Sequence, residues 1–157
     1  MGDRFLFARA LAAFVALPGI VAFAVPLLWL RPRDRAFEPW GIVLIVLGGT
    51  ILFACVREFY TSGRGTLAPW SPPRHLVTSG LYRYSRNPMY IGVVLLLVGW
   101  AVGFQSRPMG IYAGAMLFAF HLRVILYEEP WLARTFGQAW RAYADATPRW
   151  LPVRRAP

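Results

Sequence analysis

Trp40-Gly-Ile-Val-Leu-Ile-Val-Leu-Gly-Gly-Thr-Ile-Leu-Phe-Ala-Cys-Val56 contains no charged residue, and its one hydroxyl belongs to Thr50. A helix on the surface of a soluble domain would interrupt such a run with polar residues once per turn. A barrel strand would be shorter and would alternate. The run therefore predicts a helix inside a bilayer, at the short end of the roughly 17–25 residues that a span needs.

Three further apolar runs flank it. Phe5 to Leu30 is broken only by Arg9, Pro18 and Pro26; Pro88 to Phe104 is uncharged; Met109 to Tyr127 is interrupted by His121 and Arg123. Hydrophobic residues make up 57% of the 157-residue chain and charged residues 15%. Soluble domains are nearer 45–50% apolar. The apolar part of the first run is too long for a signal peptide, and no clear small-x-small site ends it. The expected fold class is an all-α membrane protein: one domain over 1–157, with spans roughly at 9–30, 40–58, 88–105 and 109–128.

All 17 basic residues are arginine. With four spans, Arg31, Arg33, Arg35 and Arg107 fall on one side of the membrane. Arg123 lies within the fourth run, and the remaining arginines share the side of the two termini and the second loop. The positive-inside rule puts that richer side in the cytoplasm of a cell whose inner membrane holds the chain. The Arg31–Arg35 cluster is a local counter-signal. A net charge of +10 also raises nucleic acid as a partner. No nucleic-acid-binding module is visible, however, and arginines spread over membrane-flanking loops meet lipid head groups. The lone Cys55 makes neither a disulfide framework nor a metal site.

The second loop, Tyr60 to Arg86, carries Trp70, Leu76, Val77, Leu81, Tyr82 and Tyr84 among its glycines and prolines. That content predicts an ordered, partly interfacial cytoplasmic segment rather than a disordered linker. Asn87-Pro88 then predicts a helix start, with Asn as N-cap and Pro at the first helical position. Gly99 and Gly103 form a small-xxx-small pair, which permits close helix packing within the bundle or between copies. Leu132, Phe136, Trp140 and Tyr143 recur at helical spacing, with Arg134, Gln138, Arg141 and Asp145 on other faces. This predicts an amphipathic interfacial helix over roughly 130–146, folding back on the loop.

Candidate chemistry concentrates at two helix ends. Glu128-Glu129 closes the fourth apolar run, where a helix C-terminus and the nearby bilayer both disfavour negative charge. A cation or a hydroxyl-bearing ligand would offset that cost, as would partners among the arginines. Arg86 beside a helix N-terminus is suited to a carboxylate or phosphate. Asn87 and Tyr90 add hydrogen-bonding groups. Arg123, inside an apolar run, is a functional candidate by its position; it is in reach of Tyr127, and Glu58 is a possible bundle partner. His121 reads as a hydrogen-bonded structural residue. A ligand with a carboxylate, an ammonium and a ribose would suit the two ends together.

Leu76-Val-Thr-Ser-Gly-Leu-Tyr-Arg-Tyr-Ser-Arg-Asn-Pro-Met-Tyr-Ile-Gly92 resembles the signature of the isoprenylcysteine carboxyl methyltransferase superfamily, a Gly-x-Tyr followed by Arg-His-Pro-x-Tyr-x-Gly. Tyr127-Glu-Glu-Pro-Trp-Leu132, Phe136-Gly137, Tyr143 and Arg149-Trp150-Leu-Pro152 resemble its C-terminal pattern. The same two motifs look like those of phosphatidylethanolamine N-methyltransferases. The resemblance covers roughly Gly63 to Pro152, and Asn87 stands where the family usually has histidine.

The resemblance implies methyl transfer from S-adenosylmethionine, which becomes S-adenosylhomocysteine, to a lipid-like acceptor carrying a carboxylate or an amine. It marks Tyr82, Arg86, Asn87, Pro88, Tyr90, Gly92, Glu128 and Glu129 for the cofactor, and no metal. Arg123 and Glu128 are the catalytic candidates: an arginine to orient a carboxylate, and a glutamate to take a proton from an amine. The soluble methyltransferase fold is not expected, since Gly63-Arg-Gly65 follows a membrane helix rather than a strand. A membrane reductase using NADPH and a non-catalytic membrane interaction protein are the alternatives.

Overall fold

A computed structural model describes residues 15–29, 37–62 and 75–151. The arginine cluster at 31–35, the loop residues 63–74, the start of the first apolar run and the last six residues lie outside it. The described residues form helices, turns and short irregular connections, with no strand. A π-helical stretch, Val15–Ala24, runs into the short α1, Val25–Trp29. Then come α2, Pro39–Thr61, a 3-10 turn at Gly80–Arg83, α3, Pro88–Gly103, and α4, Arg107–Arg123. A π-helical turn, Val124–Glu128, joins α4 without a break to α5, Glu129–Ala146.

Among the described residues, two helical runs are long and apolar enough to cross a membrane, Pro39–Phe59 and Arg107–Ala146. Gly19–Leu28 and Pro88–Gly103 are shorter apolar helices. Trp40, Val46 and Phe53 on α2 and Ile111 and Phe118 on α4 are exposed.

α2 and α3 form the tightest pair, and glycine is the reason. A Cβ on Gly41 would lie 2.5 Å from the Gly103 Cα, and one on Gly48 would lie 2.6 Å from the Gly92 carbonyl oxygen. Gly99 likewise faces the Ile45 and Gly41 backbone. Such close approach maximises dispersion contact where lipid provides no hydrophobic drive between helices. Gly99 and Gly103 are thus used within the chain, both against Gly41, while Gly92 meets Gly48; neither α2 glycine was singled out from the sequence.

The pair is antiparallel, with the Glu38 N–H donating to the Gly103 carbonyl at 2.9 Å. At the opposite end of α3, Asn87 and Pro88 take the cap and first-helical positions as expected. α4 follows a tight turn in which Ser106 caps by accepting from the Met109 N–H. The N-terminal helical stretch docks by carbonyls: Ala22 accepts from Trp100 Nε1 at 2.9 Å and Val21 from the Tyr112 hydroxyl at 3.4 Å. Leu52, Val93, Leu96, Leu97, Met109 and Ala113 fill the core between them.

One expectation changes. The fourth helix does not end at Glu128-Glu129: the chain stays helical through them, and the break comes at Gly137, with φ 53° and ψ −119°. The acids therefore sit at a widened turn inside a continuous helix, and the cost of a helix C-terminus does not apply to them. The amphipathic segment begins at Glu129 and folds back on the second loop, where the Tyr143 hydroxyl donates to the Tyr82 carbonyl at 2.6 Å.

Candidate active site

The start of α3, the joint between α4 and α5, and the C-terminal segment after Ala146 meet at one end of the helices. α3 begins at Pro88, so Arg86 and Asn87 project from the chain entering it and Tyr90 from its first turn. The π turn projects Glu128 toward α3, and Glu129, one residue on, takes a different direction.

Tyr90 donates its hydroxyl to Glu128, and Arg123 Nε meets the same carboxylate oxygen at 2.8 Å. Arg123 also lies over the Tyr127 ring, 5.9 Å from its centroid. Glu58, the other partner considered for Arg123, instead accepts from Ser62 at 2.8 Å and from Ser79. Glu58 thereby fastens the end of α2 to the turn that carries Tyr82.

Glu129 is held by two arginines. Arg86 Nη1 lies 3.2 Å from its Oε1, and Arg149 grips it in a two-pronged fashion, Nε to Oε1 and Nη2 to Oε2, both at 2.8 Å. The hydrogen bond to Glu129 raises the Arg149 pKa above its ordinary range. Arg86 also lies over the Trp140 ring at 5.6 Å. The anion binder and the acid predicted at separate helix ends thus engage one another. Arg149 completes the arrangement and was not among the residues marked from the sequence. Its signal was the Arg149-Trp150-Leu-Pro152 motif, taken there as part of a pattern and not as a charge.

His121 is a structural partner, accepting from Trp150 Nε1 at 3.2 Å. Asn87 caps α3 by position only. Its side chain makes no cap bond, and Nδ2 donates to the Arg149 carbonyl at 3.0 Å.

A cavity of about 110 Å3 opens between these elements. Tyr82, Arg86, Asn87, Tyr90 and Glu128 line it together with Phe59, Met89, Leu132, Phe136, Trp140 and Tyr143. Among the sequence-marked residues, Pro88, Gly92, Glu129 and Arg123 are not in its lining. Gly92 packs on Gly48 in the helix pair, Glu129 backs the wall through Arg86, and Arg123 through Glu128. Tyr82 is buried, and among the described residues its hydroxyl has no nitrogen or oxygen partner, with only the weakly bonding Cys55 thiol beside it. Burial pushes that phenol well above its ordinary pKa.

The wall chemistry fits a nucleoside bearing a charged amino-acid chain: aromatic faces for a base, a buried phenol, a carboxylate and an arginine.

Comparison with known proteins bears on the same residues. The family model described as phospholipid methyltransferase matches residues 37–139. The chain is similar to a probable protein-S-isoprenylcysteine O-methyltransferase of Oryza sativa subsp. indica, at 31% identity over 71% of this chain and 59% of the relative. It is similar to protein-S-isoprenylcysteine O-methyltransferase A of Arabidopsis thaliana, at 29% over 72% of this chain and 58% of the relative. It is also similar to the protein-S-isoprenylcysteine O-methyltransferase of Schizosaccharomyces pombe, at 32% over 50% of this chain and 33% of the relative. The chain thus spans less than two thirds of the length of these relatives. No solved structure matches it.

Proposed function

Because the chain belongs to the phospholipid methyltransferase family, we propose that it is an integral membrane enzyme of one domain, four apolar helices deep. It transfers a methyl group from S-adenosylmethionine to a lipid-like acceptor at the cytoplasmic face. The observation that carries this is the placing of Glu128 beside Tyr90 and Arg123 on the wall of an aromatic cavity.

S-adenosylmethionine, when bound, supplies a methyl group on an already activated sulfonium, so the protein's task is positioning and exclusion of water. Tyr82, Phe136, Trp140 and Tyr143 offer rings to stack on and keep the cavity dry. Glu128 offers a carboxylate to a hydroxyl or a positive charge, and its remaining lone pairs stay directed by Tyr90 and Arg123. Arg86, backed by Glu129, offers a guanidinium to a carboxylate. Asn87 and Pro88 fix where the chain carrying Arg86 enters α3.

Three arginines against two glutamates leave the site electropositive, which favours an anionic acceptor. A carboxylate acceptor needs no base, and Arg123, which backs the cavity wall through Glu128, is our candidate to orient it. That agrees with the relatives' description as O-methyltransferases. An amine acceptor needs a free base, and both glutamates are engaged by arginines. The arginine distribution supports cytoplasmic termini in an inner membrane.

The test is calorimetric binding of S-adenosylhomocysteine to detergent-purified protein, with Glu128→Gln as control. No binding by the unaltered chain overturns the proposal. Transfer of radiolabelled methyl is then followed to an S-isoprenylated cysteine, a long-chain fatty acid and phosphatidylethanolamine. Label in the amine lipid alone would overturn the carboxylate acceptor.

A further inference from the structure

Asn87 lines the cavity, but its side-chain amide is spent on the protein. Nδ2 donates to the Arg149 carbonyl at 3.0 Å, and the Ser85 hydroxyl reaches the same oxygen at 3.3 Å. Ser85 in turn accepts the Asn87 N–H at 3.2 Å. The Arg86 N–H donates to the neighbouring Pro148 carbonyl at 2.9 Å. Ser85 and Asn87 are both buried polar residues, where a lost partner costs most. Three consecutive residues before α3 therefore hold the backbone of two consecutive residues after α5.

The consequence is at the side chain of Arg149. With its carbonyl fixed from one side, its guanidinium is delivered to both oxygens of Glu129. Glu129 is the residue that also holds Arg86 on the cavity wall. Arg149 lies beyond the 37–139 stretch that the family model matches, so nothing in that match speaks for it.

We propose that Asn87 is a positioning residue: through the Arg149 carbonyl it sets the Arg149 guanidinium on Glu129, and Glu129 in turn holds on the cavity wall the Arg86 that receives the anionic end of the methyl donor. This rests on the methyl-donor role of the cavity. It also accounts for an asparagine where histidine is usual, since the task requires only an N–H donor. Histidine has one in either charge state, and aspartate has none when ionised.

The experiment measures S-adenosylhomocysteine binding to the full chain in detergent, with Asn87→Asp, Asn87→Ala, Asn87→His, Arg149→Ala and the Asn87→Ala/Arg149→Ala double variant. Thermal unfolding of each is recorded alongside. Loss of a buried hydrogen bond of this kind predicts binding weakened about 10-fold or more in Asn87→Asp and Asn87→Ala. Asn87→His is expected within about 3-fold of the unaltered chain by the same rule. The double variant is expected to match Arg149→Ala alone, because Asn87 acts through Arg149.

A second readout needs no ligand. Trypsin cleavage between Arg149 and Trp150, mapped by mass spectrometry, should accelerate in Asn87→Asp and not in Asn87→His. Binding by Asn87→Asp equal to the unaltered chain, failure of histidine to rescue, or additive losses in the double variant would each overturn the proposal. If the unaltered chain binds no S-adenosylhomocysteine, the methyltransferase reading fails. The cleavage pattern then decides the positioning role: protection lost in Asn87→Asp and kept in Asn87→His supports it, and equal cleavage overturns it.

Discussion

Arg123 Nε and Glu128 Oε1 lie 2.8 Å apart although five residues separate them. On an ordinary α-helix, side chains meet at spacings of three and four, and a spacing of five does not bring them together. The π-helical turn Val124–Glu128 widens the helix by one residue and puts both on one side. Such single π turns recur at functional sites. Here the turn also aims Glu128 at Tyr90, which makes the carboxylate a shared centre for α3 and α4.

Glu128→Gln keeps the shape and removes the charge. Hydrogen bonds to charged groups contribute about 1.5–3 kcal/mol, so S-adenosylhomocysteine binding should weaken by roughly 10- to 100-fold by the same principle. Calorimetry with a folding control checks it, and unchanged affinity would remove Glu128 from the site.

Tyr82→Phe should act in opposite directions on stability and binding. The Tyr82 hydroxyl is buried with only the Cys55 thiol, a weak hydrogen-bonding group, to engage it, so deleting it removes much of a desolvation cost of about 1–3 kcal/mol. The melting temperature of the ligand-free protein should rise while donor affinity falls.

The same phenol sets an alkaline limit. Burial raises its pKa in the folded chain, so above about pH 10 the unfolded state sheds a proton that the folded state retains. Stability present below that pH is lost as pH rises through it. Tyr82→Phe should lose less stability between pH 9 and about 11 than the unaltered chain, as followed by thermal unfolding.

Gly48 and Gly49 are adjacent in α2 and should respond oppositely to alanine. Both substitutions gain about 1 kcal/mol of helix propensity. A Cβ at Gly48 would press on the Gly92 carbonyl at 2.6 Å, while one at Gly49 meets nothing within 4 Å. Gly48→Ala should therefore destabilise by about 1–3 kcal/mol through overpacking, and Gly49→Ala should be neutral or stabilising. Equal melting temperatures would argue against the close α2–α3 approach.

Gly137→Ala tests the break in α5. A Cβ there would meet no atom within 4 Å, yet the backbone has φ 53° and ψ −119°. The cost is thus wholly conformational, about 1–3 kcal/mol for a side-chain-bearing residue held in such a region. Thermal unfolding measures it, and an unchanged melting temperature would show that the kink is not required.

The chain's own pattern was enough for an all-helical fold and for the start of α3 at Asn87-Pro88. An uncharged run such as Trp40–Val56 has one stable form in lipid, because a helix alone satisfies its backbone. Proline at a first helical position is equally local. Even the Gly99–Gly103 spacing announced a close approach, though not to which partner.

Which charge met which was decided only by the tertiary structure. Pairing depends on directions in space, and a single π turn or a left-handed glycine resets them without leaving a periodic trace. So Glu129 proved to be held by Arg149, twenty residues on, and Asn87 to face a carbonyl rather than a helix end. Burial of these groups removes competing water, and the arginine or amide that reaches them first in the folded chain becomes their partner.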